Sequence, residues 1–306
     1  MKDWYGVTAA EWRAAQITPA VKVRLPVNFR APETLGYIGR DPKSNTQWTS
    51  GTTGFCFAFR SSDALVRADV SLKGGFATAD LSACEALPPN AGNDAVIALA
   101  KIVGRRAQAH LFEARSAHEP AIKRLTAIRP GLRITRTLTA FDAIVWSIIG
   151  QQISLPFAYQ LLRELVEMIG EVAPGGLRAM PLAHDVAQLD ESALINVKFS
   201  RAKASYLVGI ARQVSSGELD LVAAEENSAV AAYSSLESCR GLGPWSVNYV
   251  MMRGMGFGDC APIGDAGLRR ALAVFEGLSE RLTDKQMAEL MVPFAPHRSL
   301  ATFHMW

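Results

Sequence analysis

Asp265 stands 22 residues after Gly243 in the stretch GLGPWSVNYVMMRGMGFGDCAPIGDAGLRRAL, residues 241–272, immediately before a run with helical apolar spacing. A carboxylate ahead of a helix is in a favoured N-cap position, and that role alone explains many aspartates. The residues upstream give it a second reading. Gly241 and Gly243 permit backbone angles that a side chain would forbid, and Pro244 opens the next helix where its missing N–H costs nothing. Two helices joined by such a turn form a helix-hairpin-helix, whose unpaired N–H groups sit in the positive field of a helix N-terminus and suit a phosphate. An ionised carboxylate beside that element can stabilise a sugar that becomes cationic as a glycosidic bond breaks. Taken alone, the GxG joint is as readily an ordinary turn.

Other chemistries find little support. Cys56, Cys84, Cys239 and Cys260 lie tens of residues apart, which fits reduced thiols rather than a zinc site or an iron-sulfur cluster. The five histidines form no i, i+3 or i, i+4 pair, so no metal held by side chains is expected. A net charge of +3 permits an anionic partner without revealing one. The run PAIKRLTAIRPGLRITR carries Lys123, Arg124, Arg129, Arg133 and Arg136 with no acid among them, and reads either as a solvated surface or as a phosphate-tracking face.

The elements that must position these residues divide the chain in two. With 306 residues and 49% apolar content there is enough for two cores. Residues 21–82 are strand-rich: VKVRLPV and ALVRADVSL alternate, and GFCFAFR is aromatic at every second place. Residues 91–117 turn helical, and beyond Pro120 the segments FDAIVWSIIGQQ, LPFAYQLLRELVEMIGE, SRAKASYLVGIARQVSSGEL, SAVAAYSSLESC and PWSVNYVMMRGMGF each predict a helix. The expected fold is α+β, with a β-rich domain over 1–117 (antiparallel sheet with helices) and an all-α domain over 118–306, two helical subdomains flanking a cleft. No apolar run reaches the length of a bilayer span, and the N-terminal MKDWYGVTAAEWRAAQ lacks a signal-peptide apolar region. The expectation is a soluble protein of the cytoplasm, associated with the nucleoid.

The segments FDAIVWSIIGQQIS, GLGPWSVNYVMMR, GDAGLRRAL and PHRSLATFHMW, in this order and spacing, resemble the helix-hairpin-helix (HhH-GPD) superfamily of DNA glycosylases over residues 138–306. Within it they are similar to the 3-methyladenine DNA glycosylase II, or AlkA-type, branch. ETLGYIGR and the strands after it resemble that branch's first domain more weakly. The resemblance implies a base-excision DNA repair enzyme that flips an alkylated purine out of duplex DNA and hydrolyses its N-glycosidic bond. It places Asp265 on the catalytic aspartate, and Tyr37, Trp245, Tyr249 and Trp306 on the aromatic base pocket. Gln151, Gln152, Gly241, Leu242, Gly243 and Ser246 fall on the DNA-binding positions, with Gln152 as the wedge left in the duplex and Gln151 supporting its loop. Ser154 reads as the N-cap of the following helix. Aromatic faces would attract an alkylated purine, which carries positive charge.

Where bifunctional relatives carry a Schiff-base lysine, this chain has Trp245, and no lysine lies between 204 and 284. The resemblance therefore implies hydrolysis without a lyase step. Ala266 stands where some members have a larger residue, which leaves substrate breadth open, and the chain stops at Trp306, earlier than the family leads one to expect. No cofactor is expected beyond a monovalent cation at the hairpin carbonyls, which would be consistent with the family. The expected partner is damaged double-stranded DNA, bound by a monomer without membrane or protein partners. Two other readings stay open: an oxidised-purine (8-oxoguanine-like) glycosylase, and a non-catalytic helix-hairpin-helix DNA-binding protein.

Overall fold

The computed structural model describes residues 2–16 and 18–306. Strand β1 (Ala20–Arg24) is followed by helix α1 (Ala31–Ile38) and by β2 (Gln47–Ser50), β3 (Gly54–Ser61), β4 (Ala64–Lys73) and β5 (Phe76–Ala83). These strands make one antiparallel sheet in the order β1-β5-β4-β3-β2. Gly74 and Gly75, both at positive φ, close the two-residue turn between the paired Lys73 and Phe76, as a tight hairpin requires. The strand-rich stretch also holds a helix that its alternation hides. APETLGYI, with Pro32 in its first turn, folds as α1 and carries Tyr37.

Alternation along β3 separates two packings. Phe55, Phe57 and Phe59 pack with Ala95, Val96, Leu99 and Ile102 of α2 (Ala91–Ile102). Cys56 and Ala58 face the other way and are covered by Ala173, Leu177 and Ala179, which come from the helical region. That return segment is tied down by Arg178 N–H to the Asn45 carbonyl (2.7 Å) and by the Arg60–Glu171 ion pair (2.9 Å). One core draws on residues from Val7 to Val103, and a second on residues from Ala109 to Phe303. The sheet is therefore held against the helices from both faces, and α1 is carried with it.

The second core is built mainly from α3 (Pro120–Ile128), α4 (Ala140–Gly150), α5 (Leu155–Ile169), α6 (Arg201–Ser216), α7 (Ala229–Glu237), α8 (Pro244–Val250), α9 (Ala266–Glu276) and α10 (Arg298–Met305), with further short helices between them, Asp284–Met291 among these. Central α4 is buried on nearly every side and starts with a capping box between Thr139 and Asp142. PWSVNYVMMRGMGF does not form the single α-helix its pattern predicts. It changes after Val250 to a π-turn over Met251–Met255, stopped by Gly256 at φ +84°. Gly254 explains why the turn lies so close to α4: a Cβ there would fall 2.9 Å from Ala140 Cα and 3.0 Å from Ala143 Cβ.

The basic run is solvated only at Lys123 and Arg124, and its other members turn inward. Arg136 is buried, pairs with Glu225 at 2.8 Å and donates to the Gly254 carbonyl. Arg133 is buried on the Val27 carbonyl (2.9 Å), Arg129 donates to the His304 carbonyl, and Arg124 to that of Phe275. Guanidinium forks satisfy carbonyls where helices end, which costs less than leaving those acceptors buried and unpaired. Among the described residues no helix is long and apolar enough to cross a membrane.

Candidate active site

Asp265 is the N-cap of α9, and its two sequence readings coincide in one side chain. Oδ1 accepts from the Leu268 N–H at 2.7 Å, which is the capping bond. The same oxygen accepts from Trp306 Nε1 at 3.0 Å, and Oδ2 accepts from Trp245 Nε1 at 3.1 Å. Three donors from three parts of the chain thus fix a half-buried carboxylate in one orientation. The loop leaves little slack: a Cβ on Gly267 would sit 3.1 Å from Asp265 Oδ1.

The aromatic positions form a continuous row. Trp245 stacks on Tyr249, with centroids 5.8 Å apart and planes at 29°, and Tyr249 meets Trp306 at 6.1 Å. Trp245 and Tyr249 are four residues apart on α8, so both lie on one helix face. Tyr37 joins the same cluster through a side-chain hydrogen bond with Tyr249 and through Phe303, whose ring is 5.6 Å from Tyr37 and 6.4 Å from Trp306.

Sequence reasoning missed the residue at the inner end of this row. Arg253 is fully buried, its Cζ lying 4.2 Å over the Tyr37 ring, 5.8 Å over Tyr249 and 5.7 Å over Phe303. It donates to the Tyr37 hydroxyl, its Nε has no partner, and no carboxylate pairs with it among the described residues. Burial drives Tyr37 upward, but the field and hydrogen bond of Arg253 outweigh it and leave the phenol below its ordinary value. Tyr249 is held well above that value, first by burial and then by Tyr37. Burial acts against the Arg253 charge, and the two tyrosines overcome it. The signal was present in the sequence, since Arg253 follows Tyr249 by four residues without an acidic neighbour on α8 or its π-turn. The faces of Tyr37 and Tyr249 are thus already committed to a cation, which leaves Trp245 and Trp306 as the rings for a cationic base.

The hairpin joins α7 to α8, and its glycines differ. Gly241 has φ +103°, and a Cβ on it would lie 2.4 Å from Tyr206 Cγ, so strain and close approach both require glycine. Gly243 does not need the backbone freedom expected of it: φ is −82°, and a Cβ on it would meet nothing within 4 Å. Its bareness faces open space ahead of α8. Leu242 is buried, and its N–H bonds the Cys239 carbonyl at 3.1 Å. Gln151 Nε2 donates to the Gly241 carbonyl (2.8 Å) and to buried Ser246 Oγ (3.1 Å), tying the end of α4 to the hairpin.

Gln152 is exposed at φ +56°, where the chain turns between α4 and α5. Ser154 occupies the N-cap position of α5, but its side chain makes no capping bond. The Gly241 and Gly243 carbonyls each accept one protein hydrogen bond, from Gln151 Nε2 (2.8 Å) and the Val247 N–H (2.9 Å).

Residues 145–296 match the family model of the HhH-GPD superfamily base excision DNA repair protein. The chain is 34% identical over 179 residues to a DNA-3-methyladenine glycosylase of Bacillus subtilis, covering 58% of this chain and 59% of that protein. It is 27% identical over 188 residues to DNA-3-methyladenine glycosylase 2 of Escherichia coli, covering 61% and 64%. The match thus spans about three fifths of the length of these curated relatives. A 3-methyladenine DNA glycosylase of Archaeoglobus fulgidus superposes with a TM-score of 0.80 at 18% identity, over 93% of this chain and 96% of that one. An 8-oxoguanine glycosylase/lyase of Clostridium acetobutylicum superposes at 0.72 and 16% identity, over 94% and 95%. At such identities the likeness is one of fold, and it extends across sheet and helices alike. With the family match falling on the hairpin, Asp265 and the aromatic row's helix, the chain belongs to the HhH-GPD superfamily of base excision DNA repair proteins.

Proposed function

We propose that the chain is a monofunctional DNA glycosylase that removes alkylated purines such as 3-methyladenine and 7-methylguanine by hydrolysis, leaving an abasic site. The observation that carries this reading is the Asp265 carboxylate held by Trp245 and Trp306. A DNA-binding module has no use for a carboxylate oriented by two aromatic N–H donors. The activity borne in the names of the Bacillus subtilis and Escherichia coli relatives agrees with it.

In this mechanism the hairpin from Gly241 to Gly243 and the opening N–H groups of α8 grip a phosphate. Gln152, exposed at a turn, enters the gap as the damaged nucleotide rotates out, while Gln151 braces the loop. Asp265 then stabilises positive charge on the deoxyribose as the bond to the base breaks. A cationic alkylpurine leaves readily, so a strong general acid is not required. Trp245 takes the Schiff-base position, and Lys203, the last lysine before it in the sequence, is buried with Nζ on the Ile149 carbonyl at 2.5 Å, which supports hydrolysis without strand cleavage. The division into a sheet domain over 1–117 and a glycosylase domain over 118–306, a monomeric state and a nucleoid location belong to the same proposal.

The test is single-turnover release of 3-methyladenine and 7-methylguanine from methylated duplex, with strands examined before and after alkali. Release that leaves alkali-labile but unnicked strands, lost in Asp265→Asn, is the expected result. Duplex binding without release of either base would defeat it.

A further inference from the structure

The guanidinium of Arg253 lies over three rings, Tyr37, Tyr249 and Phe303. Tyr249 carries that contact onward to Trp245 at 5.8 Å and to Trp306 at 6.1 Å, and Phe303 carries it to Trp306 at 6.4 Å. Those two indoles are the side-chain donors to the Asp265 oxygens. Two of the three rings on the guanidinium therefore pack against the pair that orients the carboxylate.

Both ends of the arginine are anchored. Its carbonyl accepts from the Thr137 N–H at 3.0 Å and from Thr137 Oγ1 at 3.2 Å, and the next carbonyl, of Gly254, accepts from Arg136. These donors pin the π-turn to the segment leading into α4, and π-turns within helices are frequent at functional sites. At the other end the guanidinium donates to the hydroxyl of Tyr37, which α1 brings from the sheet region. Tyr37 is in turn hydrogen-bonded to Tyr249. The sheet region thus reaches the donors of Asp265 through one phenol and one guanidinium.

Stability does not explain why this position is charged. A buried cation without a carboxylate suffers from lost hydration, and an apolar side chain of similar volume is often as stable or more so. Nor does contact with DNA explain it, since Arg253 is 2% exposed. What a guanidinium supplies and an apolar chain lacks is a directed N–H for the phenol and a charge that draws several ring faces to one point.

We propose that Arg253 is a positioning residue: by gathering Tyr37, Tyr249 and Phe303 around one charge it sets Trp245 and Trp306, and through their N–H groups the orientation of Asp265. The proposal rests on the glycosylase reading above and makes the sheet region, through Tyr37, part of the machinery of bond cleavage. Its effect falls on the rate of cleavage rather than on duplex affinity, which that reading assigns to the hairpin and Gln152.

The experiment compares the parent with Arg253→Met and Arg253→Lys. It measures single-turnover release of 3-methyladenine at saturating enzyme, the duplex Kd, and the indole N–H resonances of protein carrying isotope-labelled tryptophan, assigned with Trp245→Phe and Trp306→Phe. Arg253→Met is expected to slow release by about 10-fold while Kd changes by less than about twofold, because a loosened hydrogen bond to a charged group acts after binding. The Trp245 and Trp306 resonances should shift, and those of Trp4, Trp12 and Trp48 should stay. Arg253→Lys, which keeps a charge and a donor, should recover part of the rate, whereas a space-filling role would be met as well by methionine. A folded Arg253→Met with the parental rate overturns the proposal, and so does a slowed rate with both indole resonances unmoved or an equal loss of duplex affinity. Should Arg253→Met fail to fold, Tyr37→Phe decides, since it removes the hydroxyl that receives the guanidinium. Slowing by about threefold or more with the same two resonances shifted supports the proposal, and a parental rate overturns it. A parent that releases no base defeats the glycosylase reading; the resonances still decide the positioning, and unmoved ones overturn it as well.

Discussion

Trp245 Nε1 lies 3.1 Å from Asp265 Oδ2, while the same indole stacks on Tyr249 with centroids 5.8 Å apart. One side chain therefore couples the carboxylate to the aromatic row. Its place just after the hairpin also makes this link depend on how α8 starts. In the proposed function, grip on the backbone of DNA and orientation of the carboxylate would come from residues two apart, Gly243 and Trp245, so that the element holding the phosphate would also present the base to Asp265.

Trp245→Phe separates the two parts of that coupling. Phenylalanine retains a ring to stack on Tyr249 and removes the N–H that orients Asp265. We expect release of 3-methyladenine to slow by about 10- to 100-fold with duplex affinity nearly unchanged, because one hydrogen bond to a charged group is worth about 1.5–3 kcal/mol. Asp265→Asn should cost more, about 100- to 1000-fold or beyond, since its amide removes charge and turns a donor toward one of the indoles. A Trp245→Phe enzyme with the parental rate would show that the indole N–H has no part in orienting the carboxylate.

The two hairpin glycines give opposite expectations for one substitution. Gly241→Ala must hold φ +103° and push a methyl into Tyr206, so stability should fall by about 2 kcal/mol or more, measured by urea unfolding. Gly243→Ala meets nothing and keeps an ordinary φ, so its stability should match the parent's. Under the proposed function its methyl would stand where the phosphate approaches the backbone, and duplex affinity should drop by about tenfold at fixed salt. Parental affinity in Gly243→Ala would place the phosphate elsewhere.

Much of this was legible in the sequence for identifiable reasons. Asp265, Pro244 and Gly241 carry local signals, since capping, helix initiation and positive φ depend on a few neighbouring residues. The helices with long apolar repeats were legible too, and so were β1, β3 and β4. β5 reads FATADLSA, where alanines give weak strand preference, and α1 is too short for periodicity to show. Arg133 and Arg136 looked like surface because a sequence displays charge but not the buried carbonyls of Val27 and Gly254 that receive it. Arg253 showed in the sequence only its spacing from Tyr249 and its lack of a nearby acid. Its meaning comes from Tyr37 and Phe303, 216 and 50 residues away, and from the absence of a carboxylate, which only three-dimensional packing reveals.

Acid should weaken the fold through His304. The imidazole is buried, its ring 5.6 Å from Phe112, and burial reinforced by the nearby Arg129 charge lowers its pKa from the ordinary 6.5 to about 3. The unfolded chain therefore takes up a proton near pH 6.5 that the native chain refuses until about pH 3. Between those values the unfolded state binds more protons, so stability is fully present above pH 6.5 and falls as pH drops, by up to about 1.4 kcal/mol per pH unit from this group. His304→Phe keeps an aromatic ring against Phe112 and removes the titration. Urea unfolding at pH 7.5 and 5.5 should then show the parent losing about 1.4 kcal/mol more than the variant across that interval. Equal losses in the two proteins would mean that His304 is protonated in the native state, and that the acid sensitivity lies in the carboxylates instead.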